Sequence, residues 1–230
     1  MVLGKVDSII INNGNINAFG STHEPAIGGT DATVQINGGN ITCQKVNAWQ
    51  QTITLGGKKL VIKGGKLTVL SGGSAINNLS TACEGQEVII YGGTIKTSSL
   101  NKSGISCTEG GNIKIIGGNI LARGKNNLNV ATYEEGTSNL IKYIPNNGTN
   151  NIYETQIKLQ NVEANKKIES ITTSDNIAYG VNDMYTLEDG MLYMYLPLGN
   201  REITIKVDGK TYKGEVETKE EENVTVLSEE

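Results

Sequence analysis

The side chains that most often carry catalysis are scarce in this sequence and are not grouped. The 230 residues hold one histidine, His23, next to Glu24, and without a second histidine this pair does not predict a metal site. Residues 1–124 hold two aspartates, Asp7 and Asp31, and no Asp-Asp pair occurs, whereas glycoside hydrolysis needs two carboxyl groups at a defined separation. The sequence therefore predicts no catalytic residues, no metal and no cofactor. A polysaccharide lyase is kept only as a remote alternative.

Charge and hydropathy argue against two further classes of function. The net charge is −4, and the acidic excess lies mainly in the C-terminal tail, without any block of lysine and arginine. A basic surface stripe is the usual footprint of a nucleic-acid-binding protein, so no nucleic-acid partner is predicted. No apolar run reaches the roughly 18 residues of a membrane-spanning helix, so the chain is not predicted to span a membrane.

Glycine is the most distinctive residue type, because it marks a repeat of about 25 residues. Five segments align on a glycine pair or its equivalent, with short alternating apolar stretches on both sides. The second glycine of each pair gives the positions Gly14, Gly39, Gly65, Gly93 and Gly118. Period-two alternation predicts β-strands, and the glycine pair between them predicts a corner that needs positive φ or close backbone approach.

A weaker third apolar element between the corners completes three short strands per repeat, which is the pattern of a parallel β-helix. The sequence thus predicts an all-β protein with a right-handed parallel β-helix of about five coils in residues 1–124. A β-sandwich, the main alternative, gives no reason for the same glycine corner to recur in register. The register predicts two buried ladders, one of Ile11, Ile36, Ile62, Ile90 and Ile115 and one of Ile16, Ile41, Leu67, Ile95 and Ile120.

The three cysteines and the single tryptophan fit the same register. Cys43 falls on an inward position and is predicted to be a small apolar filler of the core rather than a reactive thiol. Cys83 and Cys107 are expected on adjacent coils, either as stacked thiols or as a disulfide, and both states stay open. Trp49 is expected to point inward.

The outward positions of the predicted β-helix give the candidate binding surface. After each corner the outward residues are polar and regularly spaced, which suits hydrogen bonding to a glycan. The candidate ligand-binding residues are Asn15, Asn17, Asn40, Thr42, Lys66, Thr68, Thr94, Lys96 and Asn119. Before the corner, the outward residues form a predicted apolar patch that would pack against the C-terminal part or a second copy of the chain. That patch consists of Val61, Ile89, Tyr91 and Ile116.

The repeat ends near residue 124, and a different pattern follows. Residues 125–151 are rich in asparagine and are predicted to be the last partial coil, a cap and a linker. Residues 152–230 are richer in tyrosine and alternate as strands, so a small antiparallel β-sandwich of Ig-like type is predicted. Asp208-Gly209 lies between two alternating stretches and predicts a type I′ hairpin. The tyrosines are expected mainly in core and edge packing.

The segments INGGNIT, IKGGKLT, IYGGTIK and IIGGNIL, which begin at Ile36, Ile62, Ile90 and Ile115, resemble surface proteins of clostridia and gut bacteria. Those proteins consist of Gly-Gly β-helix repeats with a pectate-lyase-like fold and are called carbohydrate-binding-domain proteins. The resemblance implies non-catalytic binding of acidic polysaccharide or cellulose, with calcium held by Asp-rich Gly-Asp-Gly-Ile turns. This chain has SAINN and SGISC at those turns, so the calcium site does not carry over.

The residues and the resemblance together predict a secreted or bacterial cell-surface module that binds a glycan or adheres, without catalysis. The alternative is a structural spacer or stalk, or an oligomerising segment like that of a tail spike, without a ligand. The repeat already includes Ser8, and an uncovered first coil would expose a sheet edge. We therefore expect either a longer surface protein or an N-terminal coil that another chain caps.

Overall fold

The computed structural model describes residues 7–20, 25–45, 53–72, 74–77, 87–100, 104–106, 112–123, 142–143 and 150–230. Within these residues the protein is all-β, as predicted, and its one helical segment is the 3-10 turn η1 (Glu188–Gly190). No helix in the described part of the chain is long and apolar enough to cross a membrane.

The N-terminal part of the described chain consists of short parallel strands. In chain order they are β1 (Ser8–Ile11), β2 (Asn15–Phe19), β3 (Ile27–Ile36), β4 (Asn40–Lys45), β5 (Ile53–Ile62), β6 (Lys66–Ser71), β7 (Ser74–Asn77), β8 (Glu87–Ile90), β9 (Thr94–Ser99), β10 (Ile105–Ser106), β11 (Asn112–Ile115) and β12 (Asn119–Arg123). The first sheet stacks β1, β3, β5, β8 and β11, and β7 and β10 extend it from the N-terminal half of β5. The second sheet has the order β12-β9-β6-β4-β2.

Both sheets have the register that the glycine repeat predicts. The first ladder pairs in the order Ile11, Ile36, Ile62, Ile90 and Ile115. The second ladder pairs in the order Ile16, Ile41, Leu67, Ile95 and Ile120. Every member is buried except Ile16, which is partly buried. The fold is a parallel β-solenoid of about three turns, while the right hand and the number of five coils stay predictions.

The predicted glycine corners are confirmed by the backbone. Their second glycines all have positive φ: Gly14 +115°, Gly39 +98°, Gly65 +97°, Gly93 +102° and Gly118 +97°. A Cβ atom on Gly39 would lie 2.7 Å from the Gly14 carbonyl oxygen, so both the dihedral angle and the stacking of the coils require glycine there.

Cys43 lies inside the solenoid, as predicted, with no exposed surface. Burial raises the pKa of its thiol to about 12, because the apolar core disfavours the charged thiolate. The predictions for Trp49, Cys83 and Cys107 lie outside the described residues, as do those for His23 and Glu24.

The C-terminal part of the described chain forms one six-stranded sheet. After the short antiparallel pair β13 (Lys142–Tyr143) and β14 (Asn150–Asn151), its strands are β15 (Tyr153–Leu159), β16 (Ile168–Thr173), β17 (Met191–Leu196), β18 (Gly199–Val207), β19 (Lys210–Thr218) and β20 (Val224–Glu229). The strand order is β16-β18-β19-β20-β15-β17, antiparallel except for the parallel pair β15 and β20. The division into a sandwich and the domain boundaries stay predictions.

The hairpin and the tyrosines of this part behave as predicted. Asp208 and Gly209 join β18 to β19 with φ values of +50° and +71°, the positive pair that a type I′ turn requires. Tyr179 and Tyr212 are buried in the C-terminal core, and Tyr195 is buried against the core of the solenoid. Tyr195 on β17 and Ile152 just before β15 therefore join the C-terminal part to the solenoid core by apolar packing.

Candidate functional site

The outward face of the second sheet, which carries the predicted ligand-binding residues, becomes steadily more covered along the chain. Asn15, Asn17 and Asn40 are exposed on the first strands. Four predicted residues further along the face are partly exposed: Thr42, Lys66, Thr68 and Lys96. Thr94 is 7% exposed and Asn119 is fully buried. The prediction of an exposed face is therefore wrong for Thr94 and Asn119, because the C-terminal part covers the last strands.

Asn119 makes contacts between the two parts of the chain rather than contacts with solvent. Its amide Nδ2 donates to the Tyr185 carbonyl at 2.8 Å and to the Met191 carbonyl at 3.0 Å, and its Oδ1 accepts from the Tyr193 N–H at 2.8 Å. Thr94 is used in the same way, since its hydroxyl donates to the Asp183 carbonyl at 3.0 Å and accepts from the Tyr185 N–H at 2.8 Å. Both side chains are structural.

Residues 180–183 run along the column of glycine corners and accept their N–H groups one after another. Gly118 N–H donates to the Gly180 carbonyl at 2.9 Å. Gly93 N–H donates to the Asn182 carbonyl at 2.7 Å. Gly65 N–H donates to Oδ2 of Asp183 at 2.9 Å. Both members of a glycine pair are needed, for different reasons. The second glycine has positive φ. A Cβ atom on the first glycine would collide with the docked segment, 2.2 Å from the Gly180 carbonyl oxygen at Gly117 and 2.7 Å from the Asn182 carbonyl oxygen at Gly92.

A cleft of about 270 Å³ opens where this segment ends, beside the corners of the first coils. Its lining comes from both parts of the chain: Asn12, Asn13, Asn37, Gly38, Gly39, Asn40, Gly65, Lys66, Asp183 and Tyr185. Asn40 and Lys66 are the predicted site residues that line it. The cleft combines amide groups, a carboxylate, an ammonium group and an aromatic ring within one small volume.

The polar side chains around the cleft are held in place by contacts between coils. Asn37 Nδ2 donates to Oδ1 of Asn12 at 2.7 Å, and Asn40 Nδ2 donates to Oδ1 of Asn15 at 2.9 Å. The Lys66 ammonium lies 3.8 Å from the centre of the Tyr185 ring and 3.3 Å from Oδ1 of Asn165. This cation–π contact fixes the ring beside the corner.

The open part of the face also carries apolar surface that sequence reasoning missed. Phe19 is 72% exposed and Leu70 is 40% exposed, and the register places Gln44 between them. The alternation of β2 could have shown Phe19, because it follows Asn17 by two residues. No local signal could have shown Asp183 and Tyr185, which reach the cleft from a distant segment.

The predicted apolar patch is only partly exposed. Val61 and Ile89 are buried within the single chain, at 8% and 7% exposed, while Tyr91 is 42% exposed. The Ile116 carbonyl accepts from Gly180 N–H at 2.9 Å, so the C-terminal part does contact this side at its corner end. Self-association through these residues stays a prediction.

The described residues contain no group of three or more His, Cys, Asp or Glu side chains that could hold a metal ion. Comparison with protein-family models, curated proteins and solved structures finds no match for this chain. The geometry of the cleft and its surroundings is therefore the evidence on which a function can be argued.

Proposed function

We propose that this protein is a non-catalytic extracellular module, secreted or displayed on a bacterial surface, that binds a glycan. The observation that carries the proposal is the cleft, of about 270 Å³, which is close to the roughly 300 Å³ at which small-ligand pockets begin. Its amides from Asn12, Asn37 and Asn40 can each donate and accept, as sugar hydroxyl groups do. Tyr185 contributes the aromatic surface that sugar-binding sites commonly use.

The exposed face beside the cleft extends the binding surface in the proposal. Asn15 and Asn17 lead outward from the corner, and Phe19 supplies an apolar contact at the far end of the same strand. A glycan chain longer than the cleft would lie on this face. In this view the remaining predicted site residues, Thr42, Thr68 and Lys96, contact a chain that leaves the cleft.

The proposed architecture is a right-handed β-helix of five coils followed by an Ig-like sandwich. The five stacked strands of the second sheet support the number of coils, and the resemblance to Gly-Gly-repeat carbohydrate-binding proteins supports the hand and the function. The buried contacts of Asn119 and Thr94 support a fixed arrangement of the two parts, which a cleft shared between them requires.

A glycan array with the wild-type chain and one matched pair of variants tests the proposal. Asn40→Ala removes an exposed amide from the cleft, whereas Asn200→Ala removes an exposed amide from β18, outside the cleft. We expect Asn40→Ala to weaken binding to any positive glycan about five- to tenfold, the value of one good hydrogen bond, and Asn200→Ala to have no effect. Equal loss in both variants, or no glycan bound by the wild type, would refute the proposal.

The contacts of residues 180–183 with three successive corners also favour a second function, a rigid spacer or stalk. Such a stalk would hold a neighbouring domain at a fixed angle and need no ligand. An array without any positive glycan, together with a stable trimer in light scattering, would favour the stalk. Release of new reducing ends from a bound polysaccharide would instead favour the remote alternative, a lyase.

A further inference from the structure

Residues 180–183 contact three of the glycine corners, those of Gly118, Gly93 and Gly65, and the column of corners continues beyond them to Gly39. At each corner one coil presents a backbone carbonyl and the next coil presents a backbone N–H, and both can bond to a third group. This set of one acceptor and one donor repeats at the coil spacing of about 4.8 Å. Asn182 meets both members of one pair, because its Nδ2 donates to the Lys63 carbonyl at 2.7 Å and its own carbonyl accepts from Gly93 N–H at 2.7 Å. One amide-bearing residue is thus enough to satisfy a corner.

The next pairs in the row are progressively less occupied. At the corner of Gly65, Oδ2 of Asp183 accepts the N–H, but a carboxylate has no proton to donate to the Asn37 carbonyl. At the corner of Gly39, neither the Gly39 N–H nor the Asn12 carbonyl has a hydrogen-bond partner in the described part of the protein. Both residues line the cleft.

We infer that this empty corner is the recognition point of the cleft, and that its ligand is an uncharged sugar residue that repeats the contacts of Asn182. The inference rests on the proposed glycan-binding function and adds the class of sugar. A hydroxyl or acetamido group can accept from Gly39 N–H and donate to the Asn12 carbonyl. These groups are neutral, and each both donates and accepts.

The charge next to the corner selects against acidic sugars. A Cβ atom on Gly38 would lie 3.5 Å from Oδ2 of Asp183, so a sugar carboxylate seated at Gly39 would lie close to an existing carboxylate. Like charges at this range in a partly covered site cost several-fold to many-fold in affinity. Lys66, the cation that lines the cleft, already contacts the Tyr185 ring and Asn165.

A matched pair of oligosaccharides tests the class of sugar with the wild-type protein. Hexagalacturonate and its fully methyl-esterified form differ in charge but keep the same backbone. Titration calorimetry at low salt should show at least about tenfold tighter binding of the ester, with cellohexaose as a second neutral probe. Asp183→Asn removes the negative charge, and its amide oxygen can still accept from Gly65 N–H. This variant should therefore reduce the ratio of the two affinities at least threefold.

A second pair of variants tests the position. Gly38→Ala places a methyl group 3.1 Å from the Asn12 carbonyl oxygen, so it crowds one of the two groups proposed to bind the sugar. Gly29→Ala adds the same methyl group in β3, where the nearest atom is 3.6 Å away. Neither glycine has positive φ, and a shift of a few tenths of an ångström by the Asn12 carbonyl accommodates the methyl group at Gly38, so both variants should fold, which a thermal melt checks. We expect Gly38→Ala to weaken neutral-sugar binding at least tenfold and Gly29→Ala to leave it unchanged.

The outcomes separate this inference from the proposed function. If a glycan array finds binding but the free acid binds as well as the ester, or Gly38→Ala behaves like Gly29→Ala, the empty corner is not the recognition point. The glycan-binding proposal would then stand with another contact surface. If neither the array nor the calorimeter shows any glycan bound, both proposals are wrong.

Discussion

Replacing Asn119 tests whether the buried end of the solenoid face holds the solenoid and the C-terminal part together. Asn119→Ala would remove the side-chain partner of three partly buried backbone groups: the carbonyls of Tyr185 and Met191 and the N–H of Tyr193. Asn40→Ala is the matched control, because β2, β4, β6, β9 and β12 place both asparagines at the same position after the corner. Asn40 is exposed and its amide makes one contact, with Asn15.

The magnitude follows from the number of buried groups. Each of these three hydrogen bonds to a partly buried backbone group is worth about 1–1.5 kcal/mol, so we expect Asn119→Ala to lower the free energy of unfolding by about 3–4.5 kcal/mol. Asn40→Ala should change it by less than about 0.5 kcal/mol, as exposed substitutions do. Asn119→Asp keeps the shape of the side chain but cannot donate to two carbonyls, and should destabilise at least as much as alanine.

Equilibrium unfolding in urea, followed by far-ultraviolet circular dichroism, measures these differences. Hydrogen exchange adds a local readout, because the amide of Tyr193 should lose protection in Asn119→Ala and keep it in Asn40→Ala. The reasoning is refuted if the two alanine variants have the same free energy of unfolding, or if Tyr193 exchanges at the same rate in both.

Three further predictions concern the charges and the thiol. Arg123→Ala should destabilise by about 3–5 kcal/mol in urea, because Glu154, 1% exposed, would lose its bidentate partner at 2.8 and 3.0 Å; an effect below about 1 kcal/mol would contradict this. The hydrogen bond from Lys114, opposed by burial and joined by Lys59, lowers the pKa of Glu87 below its ordinary value of 4.5. Ionised Glu87 therefore stabilises the fold above about pH 4.5, and this stabilisation is lost as the pH falls through the lowered pKa. In thermal melts at acidic pH, the melting temperature should depend less steeply on pH in Glu87→Gln than in the wild type. Cys43, with its pKa at about 12, should stay unmodified by iodoacetamide at pH 8 in the native protein and react after unfolding, which peptide mass analysis shows directly.

The sequence was sufficient to predict the solenoid because each coil repeats the same local physics. Alternation placed Ile36 and Ile62 inward, and the glycine pair located the corner between the two sheets. The same kind of signal predicted the hairpin at Asp208 and Gly209, whose positive φ values only a few residue types adopt easily. These features are set by nearest neighbours, so they can be read without knowing the rest of the fold.

The coverage of the face could not be predicted in the same way. Asn40 and Asn119 have the same local sequence, Gly-Gly-Asn-Ile, yet one is exposed and the other is fully buried. The difference comes from residues 180–193, which dock on the last coils from more than 60 positions away in the chain. A repeat predicts what its members share, and only the tertiary contact shows where they differ.

The same contact explains why a regular solenoid would have one site rather than five. Every corner offers a carbonyl and an N–H of similar geometry, so each could in principle bind the same group. Residues 180–183 accept the N–H groups of Gly118, Gly93 and Gly65, and Gly14 N–H is already met by Oδ1 of Asn13 at 2.8 Å. Gly39 lies between the corner of Gly65, which Asp183 contacts, and the corner of Gly14, which Asn13 contacts. Extending or trimming residues 180–183 so that they reach one corner more or one corner fewer should therefore move the open corner. The position at which a ligand binds should move with it.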